Sequence, residues 1–364
     1  VGPSIMVALF GVATIFFVWV FARKFFGVWG AAFSAILYAV SPTVVYLSIF
    51  SWNPNIMPFF ALLTIYSIWK FWAEEKFNWI VVAGVSMGFV LQSHYLGLLL
   101  LPTLGMFWLL TYLKVRKTDN LRFFIRNTLS GIGIFVLLMS PLLVFDARHD
   151  WRNFLAMKEF FLVSSGGSFS LAAALNRTVT VAKDISFYLL GGRNLVYGNI
   201  ILVAIIIFLG KTVWLWKKIE ITQRKAFFLI LVWLGAGILG LSFYKNILYD
   251  HYYAFVFPAP FLLLAGFSQI AILKGRNWGK ILVVITALIL TPVLLGASHQ
   301  WKEPNRLMRR TIRVADKIVA ESKGGRFNLA AIADRNYEGA YQYFLEKEGV
   351  PLVIIDPQRV DETV

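Results

Sequence analysis

The sequence predicts an all-α polytopic membrane protein that carries a small α/β segment at its C-terminal end. Hydrophobic residues make up 59% of the 364 positions and charged residues only 15%, a composition typical of chains that cross a bilayer repeatedly. Apolar runs recur along the chain, and each approaches the 20 or so residues that a ~30 Å hydrocarbon core requires. After about residue 299 these runs stop, and the sequence takes on the character of a soluble domain.

Ten apolar runs are predicted to be membrane-spanning helices. They lie at about 2–22, 28–47, 56–73, 79–95, 97–114, 127–146, 198–216, 226–244, 252–273 and 279–298. We therefore expect a membrane domain over 1–298 and a soluble extracytoplasmic segment over 299–364. In the soluble segment, the hydrophobic periodicity predicts helices over 306–322 and 337–348 and strands over 327–333 and 352–355.

The basic residues predict the orientation of the chain in the membrane. Seventeen of them fall on one set of alternate connections: Arg23, Lys24, Lys70, Lys76, Lys114, Arg116, Lys117, Arg122, Arg126, Lys211, Lys217, Lys218, Arg224, Lys225, Lys274, Arg276 and Lys280. Seven fall on the other set: Arg148, Arg152, Lys158, Arg177, Lys183, Arg193 and Lys245. Cytoplasmic loops carry the excess of Lys and Arg, so the first set is predicted to be cytoplasmic, in an integral plasma membrane protein with both chain ends outside.

Several function classes receive no support from the sequence. The formal charge of +16 would favour nucleic acid in a soluble protein, but here the charge follows the positive-inside pattern, so no nucleic-acid partner is predicted. The absence of cysteine excludes disulfides and thiolate metal ligands. No phosphate-binding loop, dinucleotide fingerprint, zinc-protease helix or nucleophile elbow is present. No cofactor or metal site is predicted, although the use of a divalent metal stays open.

The stretch from Tyr244 to Pro260 places ionisable and aromatic residues between two apolar runs. Lys245, Asp250, His251 and Tyr252 lie in it. Ionisable groups beside a bilayer are costly unless they line a hydrated site, which favours a substrate-binding function. The alternative is an interfacial belt, because Tyr and Lys gather at headgroup depth in many membrane proteins.

Two shorter outer turns hold further candidate substrate-binding residues. Asn53 and Asn55 flank a proline after the second predicted span, and His94 and Tyr95 form the tip after the fourth. Asn side chains can bind sugar hydroxyls, but Asn-Pro is also an ordinary turn signal, and the turn is the favoured interpretation. His94 fits a substrate contact and a structural polar tip equally well.

The densest ionisable cluster follows the sixth predicted span. It contains Asp146, Arg148, His149 and Asp150. An arginine fork beside an imidazole suits a phosphate or pyrophosphate headgroup. The alternative is a charge cluster that only terminates a membrane helix.

Taken together, the turns resemble a known family. The motifs are Arg-Lys-Phe-Phe-Gly at 23–27, Ser-Pro at 41–42, Asn-Pro-Asn at 53–55, Phe-Asp-Ala-Arg-His-Asp at 145–150, Asp-His-Tyr-Tyr at 250–253 and Phe-Pro-Ala-Pro at 257–260. In this order they resemble bacterial family-39-type glycosyltransferases of the GT-C superfamily, which includes protein O-mannosyltransferases and the lipid A aminoarabinose transferase. The resemblance covers roughly residues 1–298.

The resemblance implies a GT-C-like helical bundle and an inverting transferase. Such an enzyme takes a sugar from a polyprenyl-phosphate carrier at the outer face and passes it to an acceptor glycan, lipid or protein. Its partners are the lipid-linked donor, the acceptor and the surrounding membrane lipid. Residues at matching motif positions are expected beside the donor headgroup: Arg148, His149, Asp250, His251 and Tyr252.

The catalytic acid of the family lies in a first outer loop, after a first span, and neither has a counterpart in this sequence. Because the chain opens with Val1 inside an apolar run, we expect that acid upstream of residue 1 and no sugar transfer without it. Asp146 and Asp250 are the alternatives within the chain.

Two non-enzymatic interpretations remain at the level of sequence. A lipid-linked-sugar flippase or transporter would carry ionisable residues near the midplane of its spans and paired repeats with broken helices. A structural membrane scaffold would leave the outer clustering of polar residues unexplained. A transferase is the favoured interpretation.

Overall fold

The computed structural model describes residues 2–159, 171–244, 247–301, 303, 306–332 and 338–353. The chain divides into two compact units, Val1–Trp301 and Lys302–Val364. Long apolar helices dominate the first unit, and the second is a small α/β unit. The predicted fold class is therefore confirmed, and the chain is an integral membrane protein.

Twelve helices lie in the described part of the first unit. They are α1 (Gly2–Val40), α2 (Pro42–Ser48), α3 (Met57–Ala73), α4 (Trp79–Ser93), α5 (Leu101–Val115), α6 (Asn120–Arg148), α7 (Arg152–Lys158), α8 (Leu171–Ile185), α9 (Leu195–Trp214), α10 (Ile221–Ser242), α11 (Pro258–Gly275) and α12 (Asn277–Gly296). Within the described ranges, eight helical segments are long and apolar enough to cross a membrane, and α4 is a shorter apolar helix. The ten-span topology stays a prediction.

Helix α1 covers the first predicted span and most of the second, with a break between them at Gly27. The backbone there has φ 73° and ψ −178°, a conformation that is accessible to glycine and strained for other residues. The second predicted span, 28–47, is also interrupted. The helix stops at Val40, and a new helix begins at Pro42, since proline fits the first turn of a helix but disrupts its interior. Ser41 donates a hydrogen bond to the carbonyl of Leu189, 2.8 Å away.

Glycines allow the membrane helices to pack closely. A Cβ atom added to Gly30 in α1 would lie 2.8 Å from the carbonyl oxygen of Ala265 in α11. In the same way, a Cβ atom on Gly84 in α4 would lie 2.2 Å from the carbonyl oxygen of Gly131 in α6. Small residues at such crossings let backbones approach and gain van der Waals contact inside a bilayer, where burial away from water contributes little.

A group of ion pairs closes the predicted cytoplasmic end of α3. Glu74 accepts hydrogen bonds from Lys70 Nζ and Trp69 Nε1, both at 2.8 Å. It also pairs with Lys24, and Lys76 Nζ lies 3.5 Å from the carboxylate. Burial raises the pKa of Glu74, but the hydrogen bonds from Lys24 and Lys70 outweigh it and lower the pKa to about 2. We call these five residues the Glu74 cluster.

The second unit contains helices α13 (Leu307–Ser322) and α14 (Gly339–Lys347) and a two-stranded parallel sheet. Strand β1 (Phe327–Asn328) pairs with strand β2 (Leu352–Val353). Strand β1 is shorter than predicted, because residues 329–332 form no ladder. The remaining predicted strand positions, 333 and 354–355, and the predicted helix start at 337 lie outside the described residues. Ala315 of α13 and Leu345 of α14 are fully buried between the packed helices.

Candidate functional site

Three short turns meet at the predicted outer end of the helices. They are Asn53–Ile56 before α3, Tyr95–Leu100 before α5 and Asp250–Val256 before α11. Pro258 stands at the first position of α11, where its fixed φ suits a helix start and its missing N–H is not needed. The turns therefore hold their polar side chains at one end of the bundle.

Asp250 is the central carboxylate of this region. It forms an ion pair with Nη2 of Arg193, and its Oδ1 accepts a hydrogen bond from the backbone N–H of His251 at 2.8 Å. Arg193 also donates from Nε to the hydroxyl of Thr43 at 3.3 Å, and its guanidinium lies 5.5 Å from the ring centroid of Tyr188. Three connections distant in sequence are thus held together by one charged pair.

The surroundings of Asp250 favour its ionised form. Burial alone would raise its pKa, but hydrogen bonding from His251 and the charge of Arg193 lower the pKa below its ordinary value of 3.8. The Nδ1 atom of His251 lies 3.6 Å from Oδ1 of Asp250. A carboxylate held in this way remains charged at neutral pH and is well suited to fix the positions of Arg193 and His251.

Four aromatic side chains form what we call the outer ring cluster: Trp52, His94, His251 and Tyr252. The centroid of the His251 ring lies 4.3 Å from Trp52, 4.5 Å from Tyr252 and 5.9 Å from His94. His94 and Tyr252 are 5.1 Å apart. Trp52 is 44% exposed, so the cluster presents an aromatic face to its surroundings.

His94 is held in its neutral form. Burial lowers its pKa, and the nearby His251 lowers it further, to about 4. Its Nδ1 accepts a hydrogen bond from the backbone N–H of Leu96 at 3.2 Å. The remaining ring proton of the neutral form is therefore on Nε2, and the ring can donate a single hydrogen bond.

A second carboxylate lies behind Arg193. The hydroxyl of Tyr253 donates to Oδ2 of Asp184 at 2.9 Å, and the Tyr253 ring lies 5.8 Å from that of Tyr188. Burial raises the pKa of Asp184 above its ordinary value of 3.8 and also raises that of Tyr253. A contact series thus runs from Asp184 through the two tyrosines to Arg193.

The side chain of Asn55 closes the predicted asparagine turn. Asn55 is 8% exposed and donates from Nδ2 to the carbonyl of Phe50 at 2.9 Å. Among the described residues its Oδ1 accepts no hydrogen bond, and it borders a small cavity of about 20 Å³. Asn53 is exposed, and the Tyr95 ring packs 4.4 Å from His94.

The cluster after the sixth predicted span is partly used for local structure. Asp146 is 5% exposed, and its two carboxylate oxygens accept from the backbone N–H groups of Asn153 and Phe154, each at 2.9 Å. These are orphan donors in the first turn of α7, so Asp146 acts as a helix cap supplied from the preceding helix.

The side chains of Arg148 and His149 lie at the C-terminal end of α6. Both are exposed. The His149 ring stacks on Phe145 with centroids 4.1 Å apart, and its Nδ1 lies 2.8 Å from the carbonyl of Phe145. Within the described part of the chain, neither Arg148 nor His149 makes a hydrogen bond or ion pair with Asp250. Lys245, a further predicted site residue, lies outside the described residues.

Sequence reasoning missed Arg193, Thr43 and Asp184. Arg193 has φ 60° and follows Gly192 with φ 63°, so a sharp turn aims it at Asp250. The glycine pair 191–192 was the available signal, since adjacent glycines mark such turns. Within the described ranges, no three His, Asp or Glu side chains are grouped closely enough to hold a metal ion.

The first part of the chain matches a family model. Residues 3–145 match the family described as dolichyl-phosphate-mannose-protein mannosyltransferase. Among curated proteins, none matches the chain.

The fold is similar to that of a solved membrane protein. The crystal structure of ArnT from Cupriavidus metallidurans in the apo state superimposes with a TM-score of 0.50 at 18% sequence identity. The match covers 88% of this chain, and the chain spans 56% of the length of that structure. An identity this low shows a shared fold. Together with the family match over residues 3–145, it confirms the resemblance to the GT-C superfamily.

Proposed function

We propose that this protein is an inverting membrane glycosyltransferase that takes a sugar from a polyprenyl-phosphate carrier and transfers it at the outer face of the membrane. The observation that carries the proposal is the Arg193–Asp250 ion pair beside the outer ring cluster, at helix ends. The family match over residues 3–145 and the GT-C fold support it.

The location of the cluster suits a lipid-linked donor. A polyprenyl tail stays in the bilayer, so the phosphate and sugar of the carrier lie at the interface, where the helices end. Arg193 contacts Asp250 and Thr43 through Nη2 and Nε, and a guanidinium has five N–H donors. Donors remain that could bind a departing phosphate, and preorganised donors of this kind stabilise the charge that develops as it leaves.

The aromatic side chains suit the sugar. Trp52 is exposed at the edge of the cluster, and a flat ring can pack against the apolar face of a pyranose. The imidazoles of His94 and His251 can hydrogen-bond to hydroxyl groups or to the phosphate. Arg148 and His149 stay proposed as neighbours of the headgroup, because a mobile exposed side chain can reach a bound anion without touching Asp250.

Asp250 and Asp146 are the two carboxylates within the chain that we considered as the general base of the reaction. A carboxylate must accept the proton of the acceptor hydroxyl. Asp250, with its lowered pKa and its ion pair, is a weak base, and both oxygens of Asp146 already cap α7. These contacts favour a general base that is a carboxylate outside residues 1–364, as the resemblance implies.

The experiment measures sugar transfer by the full-length natural protein, including any residues outside 1–364, in proteoliposomes that contain a polyprenyl-phosphate sugar labelled in the sugar, with native membranes as the source of acceptor. We expect labelled sugar to move to an acceptor and free polyprenyl phosphate to accumulate, with the anomeric configuration inverted. The matched control is the His251→Gln variant at equal membrane abundance. If the intact donor crosses the bilayer and no sugar is transferred, the protein is a flippase and the proposal is wrong.

A further inference from the structure

The helix α13 of the second unit carries a stripe of basic side chains. Arg306 stands immediately before the helix, and the other four members follow at spacings of three or four residues: Arg309, Arg310, Arg313 and Lys317. Residues at these spacings share one face of a helix. We call these five residues the basic stripe.

The basic stripe is not neutralised within the described part of the unit. None of its five members makes an ion pair with another described residue. Arg309, Arg310 and Arg313 are exposed. Like charges three or four residues apart destabilise a helix, and against the five basic members α13 carries two acidic residues, Asp316 and Glu321, of which Glu321 lines the same groove as Arg310, Arg313 and Lys317. The stripe therefore keeps an excess of positive charge that favours an anionic partner.

The fold of the unit does not require the basic stripe. The opposite face of α13, which includes the fully buried Ala315, packs on α14. Ile312 and Ile318, on the sides of that face, are half-buried. The basic residues therefore lie on the face directed away from the small core.

Apolar side chains accompany the basic stripe. Leu307 is 58% exposed and Val314 37% exposed, and their spacing of seven residues places both along one edge of the stripe. Further along, Val314, Ile318 and Phe327 form the floor of an open groove of about 470 Å³. Arg310, Arg313 and Lys317 line the same groove. A surface with exposed cations next to exposed apolar side chains is typical of helices that bind membrane interfaces.

The charge of the unit is unevenly divided along the sequence. Seven basic residues lie between positions 306 and 326: Arg306, Arg309, Arg310, Arg313, Lys317, Lys323 and Arg326. Two acidic residues, Asp316 and Glu321, lie in the same range. The segment that contains α13 is thus strongly cationic and complementary in charge to an anionic surface.

We propose that the basic stripe, with Leu307 and Val314, binds the surface of a lipid bilayer that contains anionic headgroups. Only ten residues separate Gly296, the end of the last apolar helix, from Leu307, so the chain keeps α13 within reach of the membrane. Each Lys or Arg near an anionic surface strengthens binding, and the side chains of Leu307 and Val314, at the edge of the stripe, insert at the headgroup boundary. The inference does not depend on the proposed sugar transfer.

A bilayer fits these observations better than a soluble polyanion does. A nucleic acid or an acidic glycan would use the cations but would gain nothing from Leu307 and Val314, which are aliphatic. A membrane surface uses both kinds of side chain at once. The contribution of charge should weaken as salt is added, because exposed charges are screened within about 8–10 Å at physiological ionic strength.

The test uses the whole protein in proteoliposomes. The chain has no cysteine, so Leu307→Cys introduces a single position for a polarity-sensitive fluorophore. With phosphatidylglycerol in the vesicles we expect a blue-shifted emission that decreases at high salt, and in pure phosphatidylcholine we expect the emission of an aqueous environment. Adding Arg310→Gln and Arg313→Gln should lower the surface-binding constant on the order of fivefold per cation removed.

Two controls make the result specific. The pair Lys323→Gln and Lys347→Gln removes the same charge from the unit outside the stripe, and a fluorophore at Tyr343→Cys reports on the exposed face of α14. The control pair of substitutions should leave the lipid response of the first probe unchanged. The probe at position 343 should show no lipid response of its own. Equal emission in both vesicle types for the labelled protein with its basic stripe intact would overturn the proposal, and this comparison requires no substitution besides the labelled cysteine. The same blue shift with soluble inositol hexakisphosphate and neutral vesicles would overturn it in favour of a soluble polyanion.

Discussion

The two ends of helix α3 carry two different kinds of charged cluster. At its C-terminal end, Glu74 is surrounded by Lys24, Lys70 and Lys76, with Trp69 donating a fourth contact. At its N-terminal end, α3 begins beside Trp52, which packs on His251 next to Asp250. Both regions contain one central carboxylate with a lowered pKa. They differ in what surrounds it.

The difference separates a structural cluster from a binding surface. In the Glu74 cluster, three cations point at one carboxylate, so the charges satisfy one another. In the outer region, a single arginine meets Asp250, and the adjoining positions are aromatic rings and imidazoles with one exposed edge. Exposed ring edges can contact a ligand and unused N–H donors can hydrogen-bond to it, whereas the lysines around Glu74 already pair with its carboxylate. Charge clustering alone therefore does not identify a site.

The largest expected effect comes from removing the imidazole of the outer region. We expect His251→Gln to lower the rate of sugar transfer on the order of 10²-fold, the usual loss when a preorganised donor to a departing group is removed. Glu74→Gln, the matched change in the other cluster, should leave the rate near that of the unsubstituted protein. Transfer is measured in proteoliposomes at matched protein abundance. Equal losses in both variants would mean that the two clusters do not differ in function.

A smaller effect is expected from exchanging the two basic side-chain types. Arg193 contacts both Asp250 and Thr43 through different nitrogens of one planar group, and a lysine cannot reproduce that geometry. We expect Arg193→Lys to reduce transfer about 10-fold, the effect of losing roughly 1.4 kcal/mol of transition-state binding. Lys24→Arg in the Glu74 cluster keeps its charge and should leave transfer unchanged. An Arg193→Lys variant with full activity would show that charge alone matters at this position.

The sequence was sufficient to predict the fold class. Apolar runs report membrane helices directly, because the bilayer imposes their length. The Asp-His-Tyr-Tyr motif at 250–253 was correctly placed beside the helix ends. The break at Gly27 did not shorten either apolar run, so its backbone conformation was not predictable from hydropathy.

Contacts between distant connections were not predictable. Arg193 is 57 residues from Asp250 and 150 residues from Thr43, and only the packed helices bring them together. Asp146 shows the opposite problem. Its charged neighbours suggested a phosphate site, whereas its carboxylate caps α7 through residues seven and eight positions later. Density of ionisable residues in sequence does not distinguish a helix cap from a site.

Acid titration gives the finest distinction between the two regions, since His94 in one and Glu74 in the other titrate in different pH windows. The folded protein lowers the pKa of His94 from 6.5 to about 4, so the unfolded chain binds more protons between those values and the stability of the fold decreases as pH falls through that window. The folded protein lowers the pKa of Glu74 from 4.5 to about 2, so its contribution is lost between those lower values.

The two contributions are separated by thermal unfolding of the detergent-solubilised protein as a function of pH. One proton taken up on unfolding gives a slope of up to about 1.4 kcal/mol per pH unit. We expect His94→Gln to flatten the decrease in unfolding temperature between about pH 6.5 and 4 and to leave the lower window unchanged. Glu74→Gln should reduce the slope below pH 4.5 only, with Asp250 still contributing there because its pKa is also lowered. If His94→Gln leaves the upper window as steep as in the unsubstituted protein, His94 is not held neutral by its burial beside His251. The aromatic cluster would then be more hydrated than its packing indicates.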